Sequence, residues 1–358
     1  MTEMHDKSER IFQLLQELLE IPAPTGHEEP VRDWLRANWR DRVEEWIEDP
    51  VGNIACRVGG SGRRLLIQAH MDELGFVVRY ITPQGFLVLD PGQGDRHASA
   101  HQRYMIGHMA QVVGRYGVVA EGVFATVTGH AATQAQSEKS YLGYNDFFVD
   151  IGARTRWEAE SKGVYIGAGV IWYAPTRRLG ARIVGKAMDD RMLLAIMTLL
   201  LDELDRDALN YELWFGATIQ EENGVHGASA LSHHMSFDLA IPLEVGLVGD
   251  IPTVGEREYP IQLGYGPTLV HKDRHIHYDK RLLWQLADVA LLHHIPFQHG
   301  IYSKFGSDGI AFMDHGIPSA LIGVPTRYTH SVFEMVDERD IISTVGLLNA
   351  FATHHSTT

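Results

Sequence analysis

Near the amino terminus the apolar positions recur at helical spacing. Ile11, Leu14, Leu15, Leu18 and Leu19 follow Ser8, a suitable N-cap, and the run stops at Pro22, which predicts an amphipathic first helix. A polar turn, APTGHEEP, leads into a second helical stretch through Trp34 and Leu35. The short apolar run RLLIQAH, Arg64 to His70, reads as a buried strand. Between about Gly75 and Gly169 the texture changes to short Val, Ile, Tyr and Phe runs punctuated by glycine, as in GFVVRYITPQGFLVLD and MAQVVGRYGVVAEGVFATVTG. Such spacing predicts a small all-β domain. From ARIVGKAMDDRMLLAIMTLLLDELDRD onward strand and helix patterns alternate again, with further strands in YELWFGATIQ, DLAIPLEV and SALIGVPT. The economical architecture is an α/β domain, residues 1–74 and 169–358, interrupted by a β insertion over 75–168. There is no internal repeat or low-complexity segment, and the tail FATHHSTT is expected to fray.

Composition narrows the function classes. A chain of 358 residues with 45% hydrophobic and 22% charged positions is ordinary globular material, long enough for two domains. No apolar run approaches the roughly 20 residues a membrane helix needs. MTEMHDKSER has no basic start followed by an apolar stretch, so no cleaved secretory signal is expected. The single cysteine, Cys56, excludes an internal disulfide framework and fits a reducing compartment, so a cytoplasmic location is expected. A net charge of −15 opposes attraction to phosphate backbones and anionic membranes, leaving nucleic acid and membrane as poor partners.

Candidate chemistry collects at the predicted strand ends. His70 and Asp72 lie in AHMDE, Asp189 and Asp190 in KAMDDR, Glu221 and Glu222 in QEENG, Glu244 in LEVG and His330 in RYTHS. In an open α/β sheet ligands bind beyond the carboxyl ends of the strands, where residues distant in sequence converge. Two histidines and several carboxylates at one edge have the composition of a two-metal hydrolytic site. His70 and Asp72 share a face of an extended chain, so the carboxylate can orient the imidazole. Glu221 and Glu222 are adjacent and point in different directions, so one can be a ligand while the other serves as general base within about 2.6–3.2 Å of a proton. Other candidates have plainer readings. Most of the 20 histidines must be incidental. His97, His101 and His108 in the insertion are read as solvent-facing, and His271, His275 and His277 in VHKDRHIHYD as a charged loop despite metal-like spacing. Asp190 suits a second ligand or an acid at a helix start. Gly224 and Gly227 permit a turn, and Met188, Met192 and Met197 suit a core.

Taken together, AHMDELGFVV, GKAMDDR, IQEENGVHGA, LEVGLVGD and PTRYTHSVFEMVD resemble the M42 family of metallo-aminopeptidases, related to glutamyl aminopeptidase and the tetrahedral aminopeptidases. The likeness spans nearly the whole chain in motif order. It implies an α/β/α catalytic domain of the metallopeptidase (phosphorylase/hydrolase-like) kind with an inserted β-barrel domain engaged in subunit contacts. It implies two divalent metal ions per subunit, zinc expected and cobalt or manganese the alternatives, held by His70, Asp189, Glu222, Glu244 and His330. Asp189 would bridge, Glu221 would be the general base, and Asp72 would support His70. Glu244 stands where many members have aspartate. The implied substrates are peptides with a free N-terminus, and the implied assembly is a homo-oligomer, up to a dodecamer.

Rival functions use the same residues differently. A dinuclear deacylase on small N-acyl substrates would share the site. A glycoside hydrolase needs carboxyls about 5–9.5 Å apart flanking a sugar, which vicinal Glu221 and Glu222 do not provide. A metal-stabilised scaffold would leave Glu221 without a task. Lys304 to Phe312, KFGSDGIAF, and the loop before His330 are expected to shape the substrate pocket.

Overall fold

A computed structural model describes residues 2–92, 106–138 and 143–354. Strand alternation splits the larger domain's core into two faces. In β1 (Glu45–Glu48), β2 (Ile54–Gly59) and β3 (Arg64–His70) the chain lays down three strands before the insertion. Leu65, Ile67 and Ala69 of β3 join one apolar cluster while Leu66 joins another, and Ile54, Cys56 and Val58 of β2 are separated from Ala55 in the same way. Helices cover both faces. The first cluster takes in the helices Thr2–Leu19, Met188–Glu203, Lys280–Leu292 and Glu338–Thr353, and the second the helices His226–His234 and Gly309–Asp314. The result is an α/β/α sandwich, the α/β domain expected from the alternating patterns with the layering the family resemblance implies. None of the described helices is long and apolar enough to cross a membrane.

The insertion folds as a closed barrel. Its strands are β4 (Phe76–Ile81), β5 (Leu87–Pro91), β6 (Met109–Gly114), β7 (Gly117–Ala125), β8 (Phe148–Asp150) and β9 (Gly169–Trp172), in the order β4-β5-β8-β7-β6-β9. Phe76 packs edge-on against Phe124 and Trp172, with ring centroids 5.5 and 5.3 Å apart, at the centre of the barrel core. β9 lies past residue 168, where the insertion was expected to end, and pairs with β4 and β6. Its run Gly-Val-Ile-Trp is apolar throughout, and periodicity alone does not say which sheet such a run joins. His97 and His101 lie outside the described residues, and His108 is half-buried.

After the barrel the chain returns through β10 (Arg177–Leu179) and β11 (Arg182–Gly185) to the main sheet strands β12 (Glu212–Thr218), β13 (Leu239–Leu247), β14 (Thr268–Lys272), β15 (Gln298–Ile301) and β16 (Leu321–Thr326). β17 (Glu334–Asp337) pairs with β11 in a small third sheet. The main sheet runs β1-β2-β12-β3-β13-β16-β14-β15. β12 and β13 flank β3 on opposite sides and both run parallel to it, which opens a crevice at their carboxyl ends. The first helix begins at Thr2 rather than at Ser8. The Ser8 hydroxyl donates to Glu338 instead of capping, a tertiary bond that local sequence does not announce.

A buried ion cluster ties the amino-terminal segment to the crevice. Lys186 Nζ donates to both Glu73 oxygens at 2.7 and 2.6 Å, and Arg191, wholly buried, donates to the carbonyls of Leu18, Ile21, Ala23 and Met71. Replacing Lys186 with methionine leaves the Glu73 charge buried with, among the described residues, only Arg191 at 3.4 Å as an ionic partner. The expected loss is about 3–5 kcal/mol of unfolding free energy, read as a lower urea midpoint at unchanged slope.

Candidate metal centre

The parallel register sets the stage. Thr218 of β12 pairs with His70 at the end of β3, so the turn carrying Glu221 and Glu222 emerges beside that histidine. On the other side Pro242 pairs with Gln68, which puts Glu244 level with His70. Asp189 opens the helix that follows β11, and His330 sits in the loop between β16 and β17.

These side chains meet. His70 Nε2 lies 3.0 Å from Asp189 Oδ1, and His330 Nε2 lies 3.1 Å from Asp189 Oδ2. Glu244 Oε2 is 3.9 Å from His70 Nε2, and Glu222 Oε2 is 3.7 Å from His330 Nε2. Two groups result, His70 with Asp189, Asp190 and Glu244, and Asp189 with Glu222 and His330, each with its donor atoms inside 4.8 Å. Asp189 belongs to both. The histidines 271, 275 and 277 are in neither group; His271 instead pairs with His299 at 2.8 Å.

A further set of buried acids grips the backbone that carries these groups. Asp190 Oδ2 accepts the His70 N–H at 3.0 Å. Asp72 accepts the N–H groups of Glu221 and Glu222 at 3.0 and 3.3 Å and the Thr25 hydroxyl at 2.9 Å, while His70 Nδ1 lies 3.2 Å from the Asp72 carbonyl and 3.3 Å from its Oδ1. Glu334 accepts from both Asp189 N and His330 N, at 3.0 and 2.9 Å. Around the site Ala187, Gln220, Val225, Tyr328 and His330 all adopt positive φ without being glycine, an unfavourable conformation for a β-branched residue such as Val225 at 56°. Gly227 is needed for a different reason, since a Cβ there would lie 2.2 Å from the Ile219 carbonyl.

Electrostatics describe a pocket short of positive charge. Burial, then the Asp189 charge, pushes Glu222 up to about 7 and Glu334 up to about 8. Glu221, Glu244 and Asp190 are raised well above the carboxylate range, burial first and neighbouring acids next. His330 rises to about 9 because Glu222 and Asp189 outweigh its burial, and His70 rises because Asp190, Asp189 and Asp72 do the same. Asp189 and Asp72 go the other way, since their histidine contacts overcome burial. Glu222 Oε1 and Asp190 Oδ1 are buried without a hydrogen-bond partner among the described residues. Imidazole nitrogens, carboxylate oxygens and orphaned acceptors in one acidic pocket fit divalent cations.

An α/β/α domain that gathers imidazoles and carboxylates at its strand ends, with a six-stranded barrel inserted, has the fold of a metallopeptidase. The sequence model of the family described as M42 glutamyl aminopeptidase matches residues 52–347, and the chain belongs to that family and is a peptide hydrolase. FrvX of Escherichia coli (strain K12) is 32% identical over 345 residues, covering 96% of this chain and 95% of its own. Lysyl aminopeptidase of Pyrococcus furiosus is 28% identical, covering 95% and 96%. Among solved structures, the Pyrococcus horikoshii TET1 peptidase, which can assemble into a tetrahedron or a large octahedral shell, superposes with a TM-score of 0.84 at 25% identity, covering 96% of this chain and all of its own.

Sequence reasoning passed over Glu28, Glu334, Thr25 and Asn53. Glu28, Thr25 and Asn53 carry no local signal beyond polarity outside regular elements, and Glu334 opens β17; what marks them is burial, at 5% exposure or less for Glu28, Glu334 and Asn53.

Proposed function

We propose that the chain is a dinuclear metal-dependent aminopeptidase that removes N-terminal residues from peptides. The observation that carries this is Asp189, whose two oxygens each lie about 3 Å from a different histidine. On this reading His70, Glu244 and Asp189 hold one divalent cation, and Asp189, Glu222 and His330 hold the other. Zinc is the expected ion, with cobalt and manganese compatible with the same donors. Bound cations would supply charge to polarise the scissile carbonyl and bring the pKa of water towards about 7. Glu221 takes a proton from the attacking water as its oxygen bonds to the carbonyl carbon, then delivers that proton to the amine as the C–N bond breaks. Asp72 keeps Glu221 and Glu222 apart by holding both backbone N–H groups. The surrounding acids favour a substrate's free α-ammonium, which supports exopeptidase action. A homo-oligomer is supported by the assembling TET1 relative, with the barrel as the natural contact domain. Preference at the first residue does not follow from kinship, since the family description names a glutamyl and the Pyrococcus furiosus relative a lysyl activity.

The test is digestion of a mixed peptide pool, free and N-acetylated, by metal-loaded protein with mass-spectrometric readout. Stepwise loss of N-terminal residues from the free peptides alone is expected. Release of acyl groups from small N-acyl amino acids with no trimming of free peptides would replace the peptidase by a deacylase.

A further inference from the structure

The turn from Ile219 to Glu222 leaves four successive backbone N–H groups without a sheet partner, and side chains from three other segments take them all. Asn53 Oδ1 accepts from Ile219 at 3.0 Å, Glu28 Oε1 from Gln220 at 3.2 Å, and Asp72 from Glu221 and Glu222. Gln220 is the residue immediately before Glu221 and sits at φ 51°, a left-handed conformation that costs free energy for any residue with a side chain. Glu28 is placed to enforce it. It stands at the start of the helix Glu29–Trp39, its carbonyl accepts from Val31 and Arg32, and the same Oε1 that meets Gln220 also accepts the Gly26 N–H at 2.8 Å. A buried carboxylate on a fixed helix start thus clamps the left-handed residue that aims the next side chain.

We infer that Glu28 is a positioning residue for catalysis, acting through the Gln220 N–H to fix the direction of Glu221. The inference rests on Glu221 being the general base. A displacement on the order of 1 Å at a catalytic group costs about 10²-fold in rate, so loss of the clamp is expected in kcat and not in substrate or metal binding.

Three variants separate this from a merely structural role: Glu28→Gln keeps an acceptor oxygen at the same reach, Glu28→Asp withdraws it by one methylene, and Glu28→Ala removes it. Rates are taken per folded, metal-loaded protein, beside Glu221→Gln. The expected pattern is a fall in kcat of about 10- to 100-fold for Glu28→Ala, a smaller fall for Glu28→Asp and recovery of most of the rate in Glu28→Gln. KM and metal content should stay within about twofold of the parent throughout. If Glu28→Ala does not fold, Glu28→Asp against Glu28→Gln decides, and equal kcat in those two overturns the inference. Loss of metal in step with activity overturns it also, by assigning Glu28 to the metal site. An active Glu221→Gln protein would instead show that the base is misassigned, whatever the Glu28 series does.

Discussion

Replacing Glu221 with glutamine is expected to lower kcat by about 10²- to 10⁴-fold, or about 3–5 kcal/mol of barrier, with metal content unchanged. The two side chains have the same shape, and the backbone that aims them is held by Asp72 through main-chain bonds that the substitution does not touch. What disappears is the ability to accept a proton. Activity should fall in the parent as pH drops through the pKa of the base, since a protonated carboxyl cannot deprotonate water. That acid limb should flatten in the variant's residual activity. A glutamine variant retaining more than about a tenth of the parental rate would move the base elsewhere.

The second large effect is expected at Asp189. Alanine there removes the one carboxylate among the described residues that lies within about 3 Å of both His70 and His330, so each candidate ion loses a donor in a single change. Both ions should be lost or greatly weakened, and activity should drop below about one part in a thousand. Metal analysis of the purified protein with measured peptide hydrolysis checks the two together. Glu244→Ala takes a donor from only one of the two groups and should spare the other. A protein that kept two ions after Asp189→Ala would refute the bridging assignment, even if it were inactive.

How much of this could be read from the chain depends on how local the signal is. The short apolar run Leu65 to Ala69 and the apolar length of the helix Met188–Glu203 are short-range features, and the α/β domain was legible from them. Glycine-punctuated β runs marked the barrel, but the four residues of β9 carry no sign of which sheet they close. At the site, His70 and Asp72 announce themselves by two-residue spacing, and Glu221 and Glu222 by adjacency. Glu28 is 192 residues from Gln220 and Glu334 is 145 from Asp189, so no window of sequence joins them. Between Asp189 and Asp190, the family motif and not any local pattern favours Asp189. Both are buried acids at a helix start, and only the fold turns one towards two imidazoles and the other towards the His70 N–H.

Val332, two residues beyond His330, is 3% exposed and belongs to the apolar core of the barrel, not to that of the sheet. Trp172 of the barrel lines the same narrow cleft as His330, Asp189 and Glu334. The inserted domain is therefore not a detachable accessory. Exchanging the barrel for a relative's would change the socket that seats Val332, and with it the reach of a candidate ligand. A barrel transplanted into this chain would keep the site's geometry only with the Val332 seat transplanted along with it.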